Sequence, residues 1–221
     1  NEVCLQGGIH PKFDENTYID IVKSIREVSD TIHIHAFSPL EITHGANCAK
    51  TDVKSYLLKL KEAGLNSLPG TAAEILDDNV RKIICPDKIN TNEWINVIKA
   101  AHSIGLPTTS TMMFGHVENY CDIAKHMHEL KSLQLESNGI TEFVPLPYVA
   151  SEAPMYLRGL SRSGPSFRES VLVHSISRIY FNESIKNIQG SWVKMGYAGL
   201  SYLLDSGIND VGGILMNETI T

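Results

Sequence analysis

Ten polar or charged side chains stand within or just beyond short apolar runs of this chain: Gln6, His10, His35, Glu41, Glu74, Glu118, Gln189, Lys194, Asn209 and Asp210. Imidazoles, carboxylates, amides and an ammonium can hydrogen-bond and orient a small molecule, although each taken singly is an ordinary solvated loop residue. Gly7 and Gly8 add a different capacity. Where an apolar run stops on a glycine pair, no Cβ keeps a ligand from the main chain, and a tight turn needing positive φ explains the same pair without a ligand. Cys4, Cys48, Cys85 and Cys121 are far apart, with no CxxC or Cys/His ligand spacing. They read as structural thiols of an intracellular, cytoplasmic protein and offer no metal site. His126 and His128 cannot share a helix face and read as surface decoration.

At 221 residues the chain fits one domain, 1–221, although an eight-stranded α/β barrel is nearer ~250 residues. Hydrophobic residues make up 43% and charged residues 20%, enough to bury a core and too apolar for disorder. A net charge of −6 without any Lys/Arg run argues against nucleic acid and against a polybasic membrane patch, and so for a small-molecule partner. No apolar stretch approaches the roughly 20 residues that span a bilayer. The chain opens on Asn1 in mid-pattern, which leaves an upstream targeting segment open.

The elements that must position these residues alternate. Residues 2–11, EVCLQGGIHP, read as a strand ending on glycines, and Tyr18, Ile21, Val22, Ile25 and Val28 give a one-faced helix over 16–28. TIHIHAF, 31–37, alternates strictly. Ile32, Ile34 and Ala36 share one face; His33, His35 and Phe37 share the other. A helix follows at Val53–Tyr56–Leu57–Leu60, then a short strand over 65–68 and helices over 72–80 and at Trp94–Val97–Ile98–Ala101. TTSTMMF, 108–114, is the next strand, then a helix through Tyr120, Ile123, Ala124, Met127 and Leu130. Beyond it come a strand over 140–146, a Pro/Gly loop to 165, and a helix through Val171, Ile176 and Ile179. The last segments read as a strand over 185–193, a helix over 196–204 and a short strand over 211–216. Strands alternating with helices predict βαβ units and a parallel sheet, with about seven strands against the eight of the commonest barrel.

EVCLQGGIHP, HIHAFSPLEI, LPGTAAEIL with ICPDKINT, TTSTMMFGHVE, TEFVPLPYVASEAP, NIQGSWVKMG and GINDVGGILMNE occur in order along essentially the whole chain. Together they resemble the CofH-type half of deazaflavin (FO) synthase, a radical S-adenosylmethionine (SAM) enzyme related to the aminofutalosine synthase and futalosine cyclase enzymes of menaquinone synthesis. NIQGSWVKMG with NDVGGILM favours the first family. The resemblance implies a (β/α) barrel lacking its first βα unit, and a [4Fe-4S] cluster held by a CxxxCxxC loop expected upstream of Asn1. It implies L-tyrosine and 5-amino-6-(D-ribitylamino)uracil as substrates. A 5′-deoxyadenosyl radical from SAM would abstract hydrogen from tyrosine, and the resulting 4-hydroxybenzyl fragment would add to the uracil. A CofG-type partner half would close the deazaflavin.

By the same resemblance, Gln6, Gly7 and Gly8 hold the amino group of SAM, and Glu74 its ribose. Thr111-x-Met113-x-Gly115-x-x-Glu118 fits a GxIxGxxE pattern, with Met113 near adenine and Glu118 fixing the loop or the nucleoside. His10, His33, His35, Gln189, Ser191, Asn209 and Asp210 are the expected substrate contacts. Read without the resemblance, Glu74 is a first-turn helix carboxylate and the histidines are hydrogen-bonded strand residues. A futalosine cyclase-like enzyme and a cluster-free barrel remnant acting as a binding subunit are the competing readings.

Overall fold

The computed structural model describes residues 2–213. The described chain forms two compact units, one from residues up to 72 with 88–109 and 137–139, the other from 73–87, 110–136 and 140 onward.

The first unit opens on the parallel pair β1 (Glu2–Leu5) and β2 (His33–Ala36), in register Glu2↔His33 through Leu5↔Ala36. The pairing continues at single positions, His35 with Ser67 and Leu68 with Thr108, both parallel. Helices α1 (Thr17–Val28), α2 (Pro39–Cys48), α3 (Val53–Ala63) and α5 (Thr91–Ser103) belong to this unit; α4 (Asp78–Ile84) belongs to the other. One face of β2 supplies Ile34 and Ala36 to a core completed by Tyr18 and Val22 of α1, Tyr56, Leu57 and Leu60 of α3, and Val97 and Ala101 of α5. Each fully buried large side chain there contributes roughly 1.5–3 kcal/mol.

The second unit holds β3 (Thr108–Phe114) from its third residue on, then β4 (Ile140–Pro147) and β5 (Asn187–Ile188), ordered β3-β4-β5. β4 and β5 run parallel, and Gln189 bridges Asp210 in the same sense. Around them lie α4 (Asp78–Ile84), α6 (Tyr120–Ser137), α7 (Pro154–Leu157), α8 (Phe167–Phe181) and α9 (Trp192–Asp205). The result is an α/β fold with parallel strands, as the alternation predicts.

Several segments depart from the sequence reading. The helix expected over 72–80 begins only at Asp78, capped by Asp77, because Ala72 and Glu74 sit at φ of 57° and 46°, which no right-handed helix accommodates. α2 was not expected at all, although Ser38-Pro39-Leu40-Glu41 forms a complete capping box with proline in its first turn. Phe37 leaves the histidine face: at φ 69° its ring turns into the core, 4.8 Å from Tyr18. Tyr120 and Ala124 of α6 are exposed, whereas His126, read as surface decoration, is fully buried. α8 buries Ser170, Val173, His174, Ser177 and Phe181, leaving the predicted Ile176 and Ile179 outside. The strand over 185–193 shrinks to β5, since Ser191 already caps α9. Residues 211–213 are not strand, and the remainder of the 211–216 segment lies outside the described residues.

Candidate functional site

In a parallel α/β unit the loops beyond the strand ends share one edge, where ligands bind. In the first unit that edge carries Gly7 and Gly8, just past β1. Glu41 Oε1 accepts hydrogen bonds from Gly7 N (2.8 Å) and Gly8 N (2.9 Å), while Oε2 accepts from Ser38 N and Oγ, both at 2.7 Å. Tyr18 donates its hydroxyl to Gly8 O at 3.0 Å. Burial and the Glu41 carboxylate push the Tyr18 phenol up, so it remains a donor. Glu41 is 1% exposed, and its capping geometry in α2 aims it at the glycines. It appears in the sequence list without a role, and only the S-P-L-E capping signature could have placed it. A Cβ at Gly7 or Gly8 would meet nothing within 4 Å, so this main-chain edge is open to close approach by a ligand.

Gln6 is exposed and lies 3.9 Å from Cys4 Sγ. His10 is exposed on a turn, its Nδ1 accepting from Lys12 N at 3.1 Å. His33 and His35 do share a face, as the alternation predicts. What joins them is Ser67, a residue that sequence reasoning passed over.

In the second unit the corresponding loop is 115–118. Glu118 Oε1 accepts from Gly115 N (2.6 Å) and from Arg162 (3.0 Å), and Oε2 accepts from His116 N (2.8 Å); its side chain is 0% exposed. The carboxylate thus holds the loop. Gly115, at φ 96°, packs so closely that a Cβ would lie 2.2 Å from Pro165 Cδ. Arg162 also pairs with Glu169 at 2.9 Å, and its amide donates to His116 O. The Glu169 and Glu118 carboxylates raise its pKa. Burial lowers that of His116, whose Nε2 faces Met113 O at 3.0 Å. Met113 N donates to Glu74 O at 2.7 Å, tying the Glu74 bend to β3.

Gln189 Nε2 donates to Glu142 at 3.1 Å. Ser191 is the N-cap residue of α9, its carbonyl accepting from Met195 N. Asn209 accepts on Oδ1 from Ile188 N (2.9 Å) and Arg178 (2.6 Å) and donates from Nδ2 to Asn187. Asp210 Oδ1 accepts from Gly212 N at 2.7 Å. Both residues follow α9 directly, so they open a paired segment rather than close one. A cleft of about 400 Å³ lies beyond β4, lined in part by Tyr148, Ser151, Phe167, Ser170 and Lys194. Of the sequence-selected residues, Lys194 alone lines it.

The four cysteines do not fit a cluster. Cys4 and Cys48 belong to the first unit and Cys85 and Cys121 to the second, none of them is in a disulfide, and no group of three or more His, Cys, Asp or Glu among the described residues could hold a metal ion. Among those residues no helix is long and apolar enough to cross a membrane.

The profile of the CofH/MqnC C-terminal region matches residues 137–221. A 5-amino-6-(D-ribitylamino)uracil–L-tyrosine 4-hydroxyphenyl transferase of Methanocaldococcus jannaschii is 50% identical over all of this chain and 62% of its own length. One of the same name from Methanopyrus kandleri is 47% identical, with 60% of its length covered. An FO synthase of Nocardia farcinica is 47% identical, and this chain covers 25% of it. The chain thus spans about three fifths of the archaeal relatives it matches. Among solved structures, methylornithine synthase (PylB) superposes with a TM-score of 0.64 at 18% identity, over 90% of this chain and 52% of that one. The Elp3 of Methanocaldococcus infernus gives 0.64 at 13% identity, over 95% and 55%. Both likenesses concern the fold. The profile of the radical SAM superfamily matches residues 2–130, more than half of the sequence and inclusive of both glycine loops, and the chain belongs to that superfamily.

Proposed function

We propose that this chain is part of a radical SAM transferase that joins the 4-hydroxybenzyl group of L-tyrosine to 5-amino-6-(D-ribitylamino)uracil in deazaflavin formation. What carries the reading is 50% identity over the entire chain to a protein named for that reaction. The same reading takes 1–221 as one incomplete barrel domain of a cytoplasmic enzyme, with a CofG-type half as partner. SAM, when bound, supplies the hydrogen-abstracting group, and the cluster's thiolates come from outside the described residues.

The residues of this chain bind and orient. Glu41 holds the Gly7–Gly8 loop so that its main chain, with Gln6 beside it, meets the amino group of SAM. Glu118 and Gly115 hold the second loop, with Met113 and Glu74 beside it, for the nucleoside. His10, His33, His35, Gln189, Ser191, Asn209 and Asp210 are proposed as polar contacts to tyrosine, the ribityl hydroxyls or the uracil edge. The Asn209 carboxamide is also engaged by Ile188, Arg178 and Asn187. Rigid orientation and exclusion of water are what a protein must add to such cofactor chemistry.

The test is anaerobic turnover by the cluster-loaded protein with tyrosine and ribitylaminouracil. Formation of 5′-deoxyadenosine in step with tyrosine loss is expected. Turnover of a futalosine-type substrate with tyrosine left intact would replace the reading with a cyclase.

A further inference from the structure

Ser67 sits between two imidazoles. Its Oγ lies 2.7 Å from His33 Nε2 and 2.7 Å from His35 Nδ1. Both rings lie on the face of β2 opposite Ile34 and Ala36, away from the helices. A serine hydroxyl carries one hydrogen and two lone pairs, and Ser67 Oγ has no other hydrogen-bond partner among the described residues, so its hydrogen goes to one ring and the other ring donates to it. Two arrangements satisfy that requirement.

Glu2 separates them. Its Oε2 lies 3.6 Å from the same His33 Nε2. A carboxylate favours a hydrogen on the nitrogen it faces and is repelled by a lone pair there. His33 Nε2 therefore donates to Ser67, Ser67 donates to His35 Nδ1, and His35 carries its hydrogen on Nε2. The reverse order would set the carboxylate against a lone pair. The bias is moderate, since the side chains of His33 and Glu2 are 42% and 52% exposed.

We infer that Ser67 is a positioning residue that fixes His35 as its Nε2–H tautomer, a neutral hydrogen-bond donor to an acceptor oxygen, carbonyl, carboxylate or phenolic, of the bound substrate. The assignment of this face to substrate rests on the function proposed above; the tautomer does not. Burial, with the neighbouring His33, holds the His35 pKa at about 4, so the ring is neutral at pH 7. The hydroxyl is separable from the fold, because strand pairing here runs through the main chain: Ser67 N donates to Ile34 O at 3.2 Å and Ala36 N to Ser67 O at 3.1 Å.

Nitrogen-15 NMR of the histidine-labelled protein reads the tautomer directly. His35 is expected as Nε2–H in the wild type and in Ser67→Thr, and with a measurable share of Nδ1–H in Glu2→Gln and in Ser67→Ala. An Nδ1–H wild type, or an unchanged ring in Ser67→Ala, overturns the inference. In turnover assays Ser67→Ala should raise KM about tenfold with kcat little changed, the loss of one neutral hydrogen bond. A changed tautomer with KM unaltered overturns the donor role. If the wild type leaves tyrosine intact, the functional proposal fails, and the NMR result still decides the tautomer.

Discussion

The two units contain the same clasp. In the first, Arg26 of α1 donates to Gly64 O (2.6 Å), Asn66 Oδ1 (2.6 Å) and Ile32 O (2.7 Å), and Asn66 Oδ1 also accepts from Ile34 N (2.7 Å). In the second, Arg178 of α8 donates to Gly207 O (2.6 Å), Asn209 Oδ1 (2.6 Å) and Lys186 O (2.7 Å), and Asn209 Oδ1 accepts from Ile188 N (2.9 Å). Gly64 and Gly207 have φ of 116° and 118°. The register is the same as well: His35 bridges Ser67, and Gln189 bridges Asp210. Only what the frame presents differs. The first unit sets a hydroxyl between two imidazoles; the second sets an amide beside a carboxylate that accepts from Gly212 N. The shared parts hold strand to helix, so the chemistry resides in the residues that vary around them.

Acid should strain this comparison most. Burial keeps His35 and His102 at about 4 in the first unit and His126 at about 3 in the second, all below their ordinary value. Stability is then full above pH about 6.5 and falls as the unfolded chain takes up protons, by at most about 1.4 kcal/mol per pH unit for each histidine until its folded pKa is reached. Denaturant melts from pH 7.5 to 4.5 check this, and a flat profile would refute it. Next in size are the clasp glycines. Gly64→Ala places a Cβ 2.4 Å from Arg26 Nε and Gly207→Ala one 2.9 Å from Arg178 Cβ, each at a φ that disfavours alanine. A cost of about 2–4 kcal/mol is expected for both, measured as a shift in urea midpoint. If one is neutral, the two clasps are not equivalent. Asn66→Ala and Asn209→Ala should each cost about 1–2 kcal/mol, because a strand amide and an arginine lose one acceptor. Were Asn209 a substrate contact alone, its replacement would alter KM and leave the melt unchanged. The smallest effect is Asp210→Ala, about 0.5–1 kcal/mol for one exposed acceptor.

Much of the frame was legible in the residues. The stripes of α3 and α5 and the alternation of β2 lie where the periods place them, because each element turns one apolar face to a core, while in α1 Tyr18 and Val22 are buried and the expected Ile21 and Val28 are exposed. α8 misled for a physical reason. Ser170, His174 and Ser177 hydrogen-bond back to carbonyls one turn earlier, which hides their polarity and lets them face inward. His126 likewise accepts from Leu76 N and is buried with it. The repeat Gly-Leu-Asn-Ser at 64–67 and Gly-Ile-Asn-Asp at 207–210 was present in the letters, yet nothing local says that an arginine on a preceding helix closes on each.

Sequence by itself determined the alternation of strands with helices, and the succession of motifs that ties the chain to its superfamily, because both depend on neighbours along the chain. Tertiary structure alone decided that Glu41 and Glu118 grip the glycine loops, that Asn209 belongs to a clasp, and that Ser67 joins two histidines. Hydrogen bonds of this kind depend on distance in space, and most join groups far apart in sequence, where no local period carries the information.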